Sequence, residues 1–478
     1  MAAEFNLRPS LNDEMRTNGS WFDFTVGFRT ERNTVEQSIS FKDGKARVRS
    51  SVPAGTDVTM IYKDDGVVRD MLRLPPNEVL NLLLKNRFRL EGNLSYMNLF
   101  NYYLSLLLGG TQKKMLAKSK AAAVELLARE SRDLDPALAS EMKERHKARM
   151  RGTRVDEGVK FLDDPYLASY SLDDFPRLAK FLDVHMTRRP AICHERSSLL
   201  TDWFLDNGFE VDGEGQPWVP ELRQAKAYRH LMENRKPIIH KDDLLAGTTT
   251  TKEIGVVVYP DTHGTMIWGE LVSAGDRPLS PYEISQETHE TLHHKVFPFW
   301  SKRNMREWVR SSYDQPLSQR LDERFAVYFM WKTAALSHTI LDFPRLLRLG
   351  TGGIIAEIDA ELAADASASA EKKNTLEAMK ICLDGLAAYA RNLALQAEAD
   401  TAAERDPARK AELERLAEIL RKVPEGPADT LDEALNAIWL GWIGLHMEST
   451  NAGLSIGRMD QWLQPFFAAD MDNLKTAE

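Results

Sequence analysis

Apolar and polar positions alternate with a period of two from Trp21 to Arg29. Phe22, Phe24, Val26 and Phe28 fall on one side, and Asp23, Thr25, Gly27 and Arg29 on the other. That is the pattern of a strand with one buried face. Ile39 and Phe41 lead into Asp43-Gly44, and Ala46 and Val48 lead out. An Asp-Gly pair between alternating runs predicts a tight hairpin, because its central residues tolerate positive φ. Another alternating run, Val58, Met60 and Tyr62, follows Pro53-Ala54-Gly55. Beyond Gly66 the period lengthens: Val68, Met71 and Leu72, then Val79, Leu80, Leu82 and Leu83 behind Pro75-Pro76, predict two helices. The pattern defines a compact α+β module over 21–110, ending near Gly109-Gly110. The polar residues 1–20 before it are expected to be mobile.

From Thr111 the character changes. The stretch KKMLAKSKAAAVELLARESRDLDPALASEMKERHKARMRG has no aromatic residue and reads as a charged helical linker over 111–154, broken near Asp135-Pro136. Long helical patterns dominate from 155 to 478. Turn residues are scarce over 355–422, where ERDPARKAELERLAEILRK spaces opposite charges for i, i+4 pairing. Breaks are expected at Gly247, Pro260, Gly350 and Pro424, with an exposed turn near 365–373.

Charge and composition narrow the partners. A net charge of -9 over 478 residues leaves no basic surplus for phosphates, so nucleic acid is not the expected partner. The first residues lack the apolar core of a signal peptide, and no run of about 18 apolar residues occurs. The two cysteines, Cys193 and Cys382, cannot form a disulfide framework and fit a reducing compartment. These features predict a cytoplasmic protein.

The stretch HETLHH, His289 to His294, fits the H-E-x-x-H pattern that offers two imidazoles one helical turn apart to zinc. Such a site also needs a third ligand, and only Glu307 and Glu323 stand downstream in reach. Ile284, Thr288, Leu292 and Val296 form the apolar stripe, and His289 and His293 fall about 100° away from it. A surface helix N-capped by Ser285 is expected, its histidines at the flank or in solvent and no metal bound. Cys193, beside His194 and Glu195, has the neighbours of an activated nucleophile. The competing reading is a buried, inert thiol, as for Cys382 on the apolar face of EAMKICLDGLAAYA.

Three blocks carry a resemblance. RRPAICHERSSLLTDWFLDNG is followed by ELRQAKAYRHLMENRKPIIHKDDLLAG. LSHTILDFPRLLRLGTGGIIAEI spans 336–358. The third runs DPARKAELERLAEILRKVPEGPADTLDEALNAIWLGWIGLHMESTNAGLSIGRMDQWLQPFF. In order and spacing these are similar to the N-terminal half of glycyl radical enzymes, the pyruvate formate-lyase-like family, in its dehydratase and decarboxylase branch. The similarity covers roughly 155–474. It implies a mainly helical α/β partial barrel, the first half of a glycyl radical enzyme barrel, and radical lyase chemistry that breaks C–C or C–O bonds. It also implies that HETLHH is a polar, metal-free helix before Phe297-Pro298-Phe299-Trp300, and that Cys193 lies on a packing helix outside the active site.

The resemblance places substrate-binding positions at His338, Gly453 and Ser455. His338 matches a histidine that hydrogen-bonds substrate; as a residue, it fits equally a core histidine bonded to Asp342 one turn later. Gly453 stands where the glycerol dehydratase branch has a substrate-contacting Ser. The change removes a hydroxyl and is expected to open space, against a small polyol substrate. Glu448 and the Arg458-Asp460 pair match positions of structural ion pairs. The family's radical Cys loop and radical-storing Gly segment lie beyond the third block, so no catalytic residue is expected among residues 1–478. The chain alone is expected to be inactive. The glycyl radical, installed by a radical S-adenosylmethionine activase, belongs to the missing part, and a second chain would complete the barrel.

The N-terminal stretch GTDVTMIYKDDGVVRDMLRLPPNEVLNLLLKNRFRLEGNLSYMNLF resembles the sterol carrier protein type-2 fold. That likeness implies an apolar ligand tunnel lined by Met60, Met71, Leu83, Phe88, Met97 and Phe100; as residues alone they equally make the core of a small domain. Together the two resemblances imply a lyase acting on a small-molecule or lipid-like, more apolar substrate. The alternative is a non-catalytic lipid- or acyl-binding or assembly protein that needs a partner chain.

Overall fold

The computed structural model describes residues 1–71, 82, 85–108, 174–277, 281–323, 338–451, 453 and 455–477. The linker expected over 111–154, Leu72, Leu83 and most of the helix behind Pro75-Pro76 lie outside them, as does the side chain of Met71.

Five strands form the N-terminal sheet: β1 (Phe24–Thr30), β2 (Glu36–Lys42), β3 (Lys45–Arg49), β4 (Val58–Tyr62) and β5 (Phe88–Gly92). Their order is β3-β2-β1-β4-β5, with β4 parallel to β1 and the other neighbours antiparallel. Asp43 (φ 50°) and Gly44 (φ 69°) make the expected two-residue hairpin. Phe24 and Val26 lie opposite Phe41 and Ile39, so the predicted apolar face is continuous across β1 and β2. A helix described over 94–108 covers that face, stacking Tyr96 on Phe24 with ring centroids 5.5 Å apart.

Two expectations for this module need correction. Residues 1–20 are not a loose tail. Helix α1 (Ala2–Leu7) and a short helix at Pro9–Asp13 sink Phe5 and Met15 into the sheet core, where Phe5 lies 4.8 Å from the Tyr103 ring. The apolar residues there are too widely spaced to show a period, yet Phe5, Leu11 and Met15 all join the core. β4 is buried at all five positions rather than on alternate ones. It lies inside the sheet, and its reverse face is covered where Val52 crosses Thr59 and where the helix Pro316–Glu323 packs beside β5. A Cβ on Gly27 would stand 2.7 Å from Val52 and 2.9 Å from Thr59 Oγ1, so a side chain there would have to displace both. Val48, at the sheet edge, is 59% exposed and stays out of the core.

The second part pairs two short parallel strands, β6 (Ala191–Cys193) and β7 (Gly255–Val257). Long helices surround them: α2 (Glu195–Asn207), α3 (Pro220–Asn234), α4 (Phe343–Ala364), α5 (Ala370–Ala403) and α6 (Leu431–Glu448). The break expected at Gly350 is a kink within α4. Gly350 has φ 66°, and a Cβ there would meet the Glu425 carbonyl at 2.2 Å. The main chain of Thr351 donates to Pro424 O at 2.7 Å, clamping α4 to the turn before α6. A capping box of Thr430 and Glu433 starts α6. One hydrophobic core runs from the N-terminal sheet into this part, through Phe22, Tyr103, Trp268 and Phe297. Among the described residues no helix is long and apolar enough to cross a membrane.

HETLHH is a helix, and Ser285 caps it by accepting from the Thr288 main chain, as expected. Its placement differs. After Thr291 the chain widens into a π-helical turn over Leu292–Val296, which rotates His293 into the interior at 0% exposure. Residues 14–18 pack on top: Glu14 O lies 2.8 Å from His293 Nε2, and Asn18 N donates to His294 O.

Candidate active site

The site is built on the C-terminal end of α6, where the last helical carbonyls lack intrahelical donors. Two side chains satisfy them. Arg196 of α2 donates Nε–H to Met447 O (2.9 Å) and Nη2–H to Glu448 O (2.8 Å), and Tyr259 donates its hydroxyl to His446 O (2.7 Å). Arg196 is also bound bidentately by Asp261, at 2.8 and 2.9 Å, and its guanidinium lies over the Tyr259 ring at 4.4 Å. Burial works against the charge on Arg196, but Asp261 outweighs it and raises the guanidinium above its ordinary range. His263 reaches Thr450 Oγ1 at 2.6 Å, and burial lowers that imidazole below its usual value.

This clamp fixes where the chain leaves α6, and the chain then runs past the start of α4. His338 Nε2 lies 3.1 Å from Ser455 Oγ, and Asn451 donates Nδ2–H to Thr339 O at 3.2 Å. A Cβ on Gly453 would stand 3.2 Å from His338 Cε1 and 3.4 Å from its Nε2. The structure therefore brings His338, Gly453 and Ser455 together. It also corrects one expectation: the missing side chain at Gly453 does not open space, because the His338 imidazole fills it. Asp342 is not the partner of His338; it caps α4 by accepting from Arg345 N at 3.2 Å.

Glu448 departs from the ion-pair expectation. Arg196 takes its carbonyl, while its carboxylate makes no ion pair or hydrogen bond among the described residues. The surrounding protein raises that carboxyl above its ordinary range, an effect Arg196 partly offsets. Arg458 and Asp460 do pair, at the surface, 70% and 63% exposed. Cys193 is buried, accepting from Thr251 N at 3.4 Å. Burial, with Glu448 nearby, pushes the Cys382 thiol up to about 12, so it stays protonated near neutrality. Met60, Phe88, Met97 and Phe100 all lie in the core between the sheet and the 94–108 helix.

The zinc-like histidines are committed elsewhere. Trp268 can only donate, so its 2.8 Å bond to His293 Nδ1 leaves the proton of that ring on Nε2. Tyr102 donates to the Glu14 carboxylate (2.7 Å), so His289 Nε2, 3.0 Å away, must donate to Tyr102. Glu14, His293 and His294 bring one candidate ligand atom each within 4.8 Å of one another, but His293 has no free lone pair for a cation.

Sequence reasoning missed Arg196, Tyr259, Asp261 and His263, which set the frame of the site. The signal was present in the Pro-x-x-Cys-x-Glu-Arg run, whose last residue is Arg196.

Comparison with known proteins shows the family. The pyruvate formate lyase-like family model matches residues 173–478, and the chain belongs to that family. Isethionate sulfite-lyase from Oleidesulfovibrio alaskensis is 30% identical over 339 residues, covering 68% of this chain and 39% of the relative. (2S)-3-sulfopropanediol dehydratase from Klebsiella oxytoca is 26% identical over 298 residues, covering 59% and 36%. Among solved structures, the glycerol-bound B12-independent glycerol dehydratase from Clostridium butyricum superposes with a TM-score of 0.55 at 26% identity, over 61% of this chain and 36% of that one. A glycyl radical enzyme from Archaeoglobus fulgidus gives 0.55 at 26%, over 63% and 38%. The chain thus spans less than two fifths of the length of each.

Proposed function

We propose that residues 173–478 serve a glycyl radical lyase as one wall of its substrate site, with His338 and Ser455 holding a polar group of the substrate. The observation that carries this reading is the contact of His338 with Ser455, 3.1 Å apart, on family-matched segments that meet beside Gly453. A neutral imidazole and a hydroxyl can each donate or accept, which suits holding a hydroxyl or an acid group in one pose. The relatives' names, a sulfite-lyase and dehydratases, favour eliminating lyase chemistry. Neither Cys193 nor Cys382 stands at this contact, so the radical-bearing Cys and Gly are supplied by polypeptide outside these residues, in line or as a partner, after action by a radical S-adenosylmethionine activase.

The test is anaerobic reconstitution of the full chain with a polypeptide carrying the Cys and Gly segments, and with the activase. A glycyl radical signal together with turnover of a hydroxylated or acidic substrate is expected. In His338→Ala turnover should fall at least 100-fold with the radical signal intact; unchanged turnover rejects the assignment.

A second reading rests on the resemblance of the N-terminal module to a lipid-carrier fold, in which Met60, Phe88, Met97 and Phe100 would part from their shared core to admit a ligand. It makes this module a lipid- or acyl-binding unit, either delivering an apolar substrate or acting in a non-catalytic chain. A fluorescent fatty acid that fails to bind the full chain removes that reading.

A further inference from the structure

A cavity of about 580 Å³ lies apart from the His338 contact, between helices α2 to α6. Ala225 and Ala378 are small residues on its walls, and Leu200, Ile354, Met379 and Leu386 make it apolar. A void of this size and lining is that of a small-molecule site rather than a packing defect.

Charge selects the ligand. Two cations border the cavity, and each is already matched: Arg196 by Asp261 and Arg345 by Glu357. Three carboxylates, Glu221, Asp342 and Glu448, remain in excess. Arg196 spends its bonds on Asp261 and on the Met447 and Glu448 carbonyls, which leaves it unable to receive an anion. Glu448 is the opposite case, a solvent-reached carboxylate at the rim of the apolar cavity with no partner among the described residues. A carboxylate at the mouth of an apolar cavity favours a ligand with a cationic head and an apolar body over a neutral or anionic one of the same length.

We propose that this cavity binds an amphipathic organic cation, an alkyl- or arylammonium whose charged head pairs with Glu448 and whose apolar body lies along Leu200, Met379 and Leu386. The cavity shares Arg196 and Glu448 with the frame of the candidate active site but none of His338, Gly453 and Ser455, so a failure here leaves the lyase reading standing.

The test uses the full chain and three probes of equal length: n-hexylammonium, n-hexanol and n-hexanoate, titrated by calorimetry. Hexylammonium is expected to bind at least tenfold more tightly than hexanol, with hexanoate weakest. Glu448→Gln should erase the difference between ammonium and alcohol. Maleimide labelling of Cys382, which lines the same cavity, should slow when hexylammonium is bound, a readout that needs no variant. Equal binding of the three probes, an ammonium preference that survives Glu448→Gln, or Cys382 labelling unmoved by ligand would each overturn the proposal.

Discussion

Trp268 donates its indole N–H to His293 Nδ1 at 2.8 Å, inside a core where His293 is fully buried. The bond favours the neutral imidazole, and burial together with the neighbouring His294 drives its pKa well below the ordinary histidine value of 6.5. His289, His263 and His194 are lowered too, chiefly by burial. A depressed folded-state pKa means that the unfolded chain binds more protons as pH falls below about 6.5. Stability from these groups is therefore complete above that pH and declines below it. The thermal midpoint should drop by several degrees between pH 7 and pH 5, and His293→Gln should flatten the slope. A midpoint that rises on acidification would contradict the assignment.

The same bond decides the zinc question. With Nδ1 of His293 accepting from Trp268 and Nε2 donating toward Glu14, the ring offers no lone pair. Equimolar zinc should leave the unfolding midpoint within about one degree of the metal-free value. A rise of several degrees, which binding to the native state would produce, would show that the histidines rearrange around the ion.

Arg196 is the residue on which the site's frame depends. It is buried, bound bidentately by Asp261, and satisfies two terminal carbonyls of α6. Arg196→Met leaves Asp261 charged without its partner and should cost about 3–5 kcal/mol by urea denaturation. Arg196→Lys keeps the charge but loses the fork and should fall between. A loss below about 1 kcal/mol for Arg196→Met would mean that the helix end is held by Tyr259 alone.

Local chemistry was legible and remote partners were not. The Asp43-Gly44 hairpin, the cap at Ser285 and the break at Gly350 follow from a few residues each. The burial of β4 on both faces depends on its place inside the sheet and on Val52 beside Thr59, which no period along β4 encodes. His293 was misplaced because a π-helical turn shifts the register that a regular helix would give. Residues 1–20 looked unstructured because Phe5, Leu11 and Met15 find their partners only in the folded sheet. His338, Gly453 and Ser455 emerged from family resemblance, while Arg196 stayed hidden because a buried arginine reads as surface in a polar-apolar pattern.

Gly453 supplies the most direct test of the site. The His338 ring occupies the room a side chain would need, with Cε1 3.2 Å from the position of a Cβ. That separation is tighter than ordinary contact, so Gly453→Ser must push the imidazole away and lengthen its 3.1 Å approach to Ser455. The His338 ring resonances should shift in Gly453→Ser in the same direction as in Ser455→Ala but by less, because the first weakens the hydrogen bond that the second removes. His338 is exposed and the bond joins two surface segments, so global stability should change by less than about 1 kcal/mol in either variant. Ring resonances that move in Ser455→Ala but not in Gly453→Ser would show that the imidazole can pivot without losing its partner. Such a pivot would leave room at Gly453 for substrate, as the sequence alone had suggested.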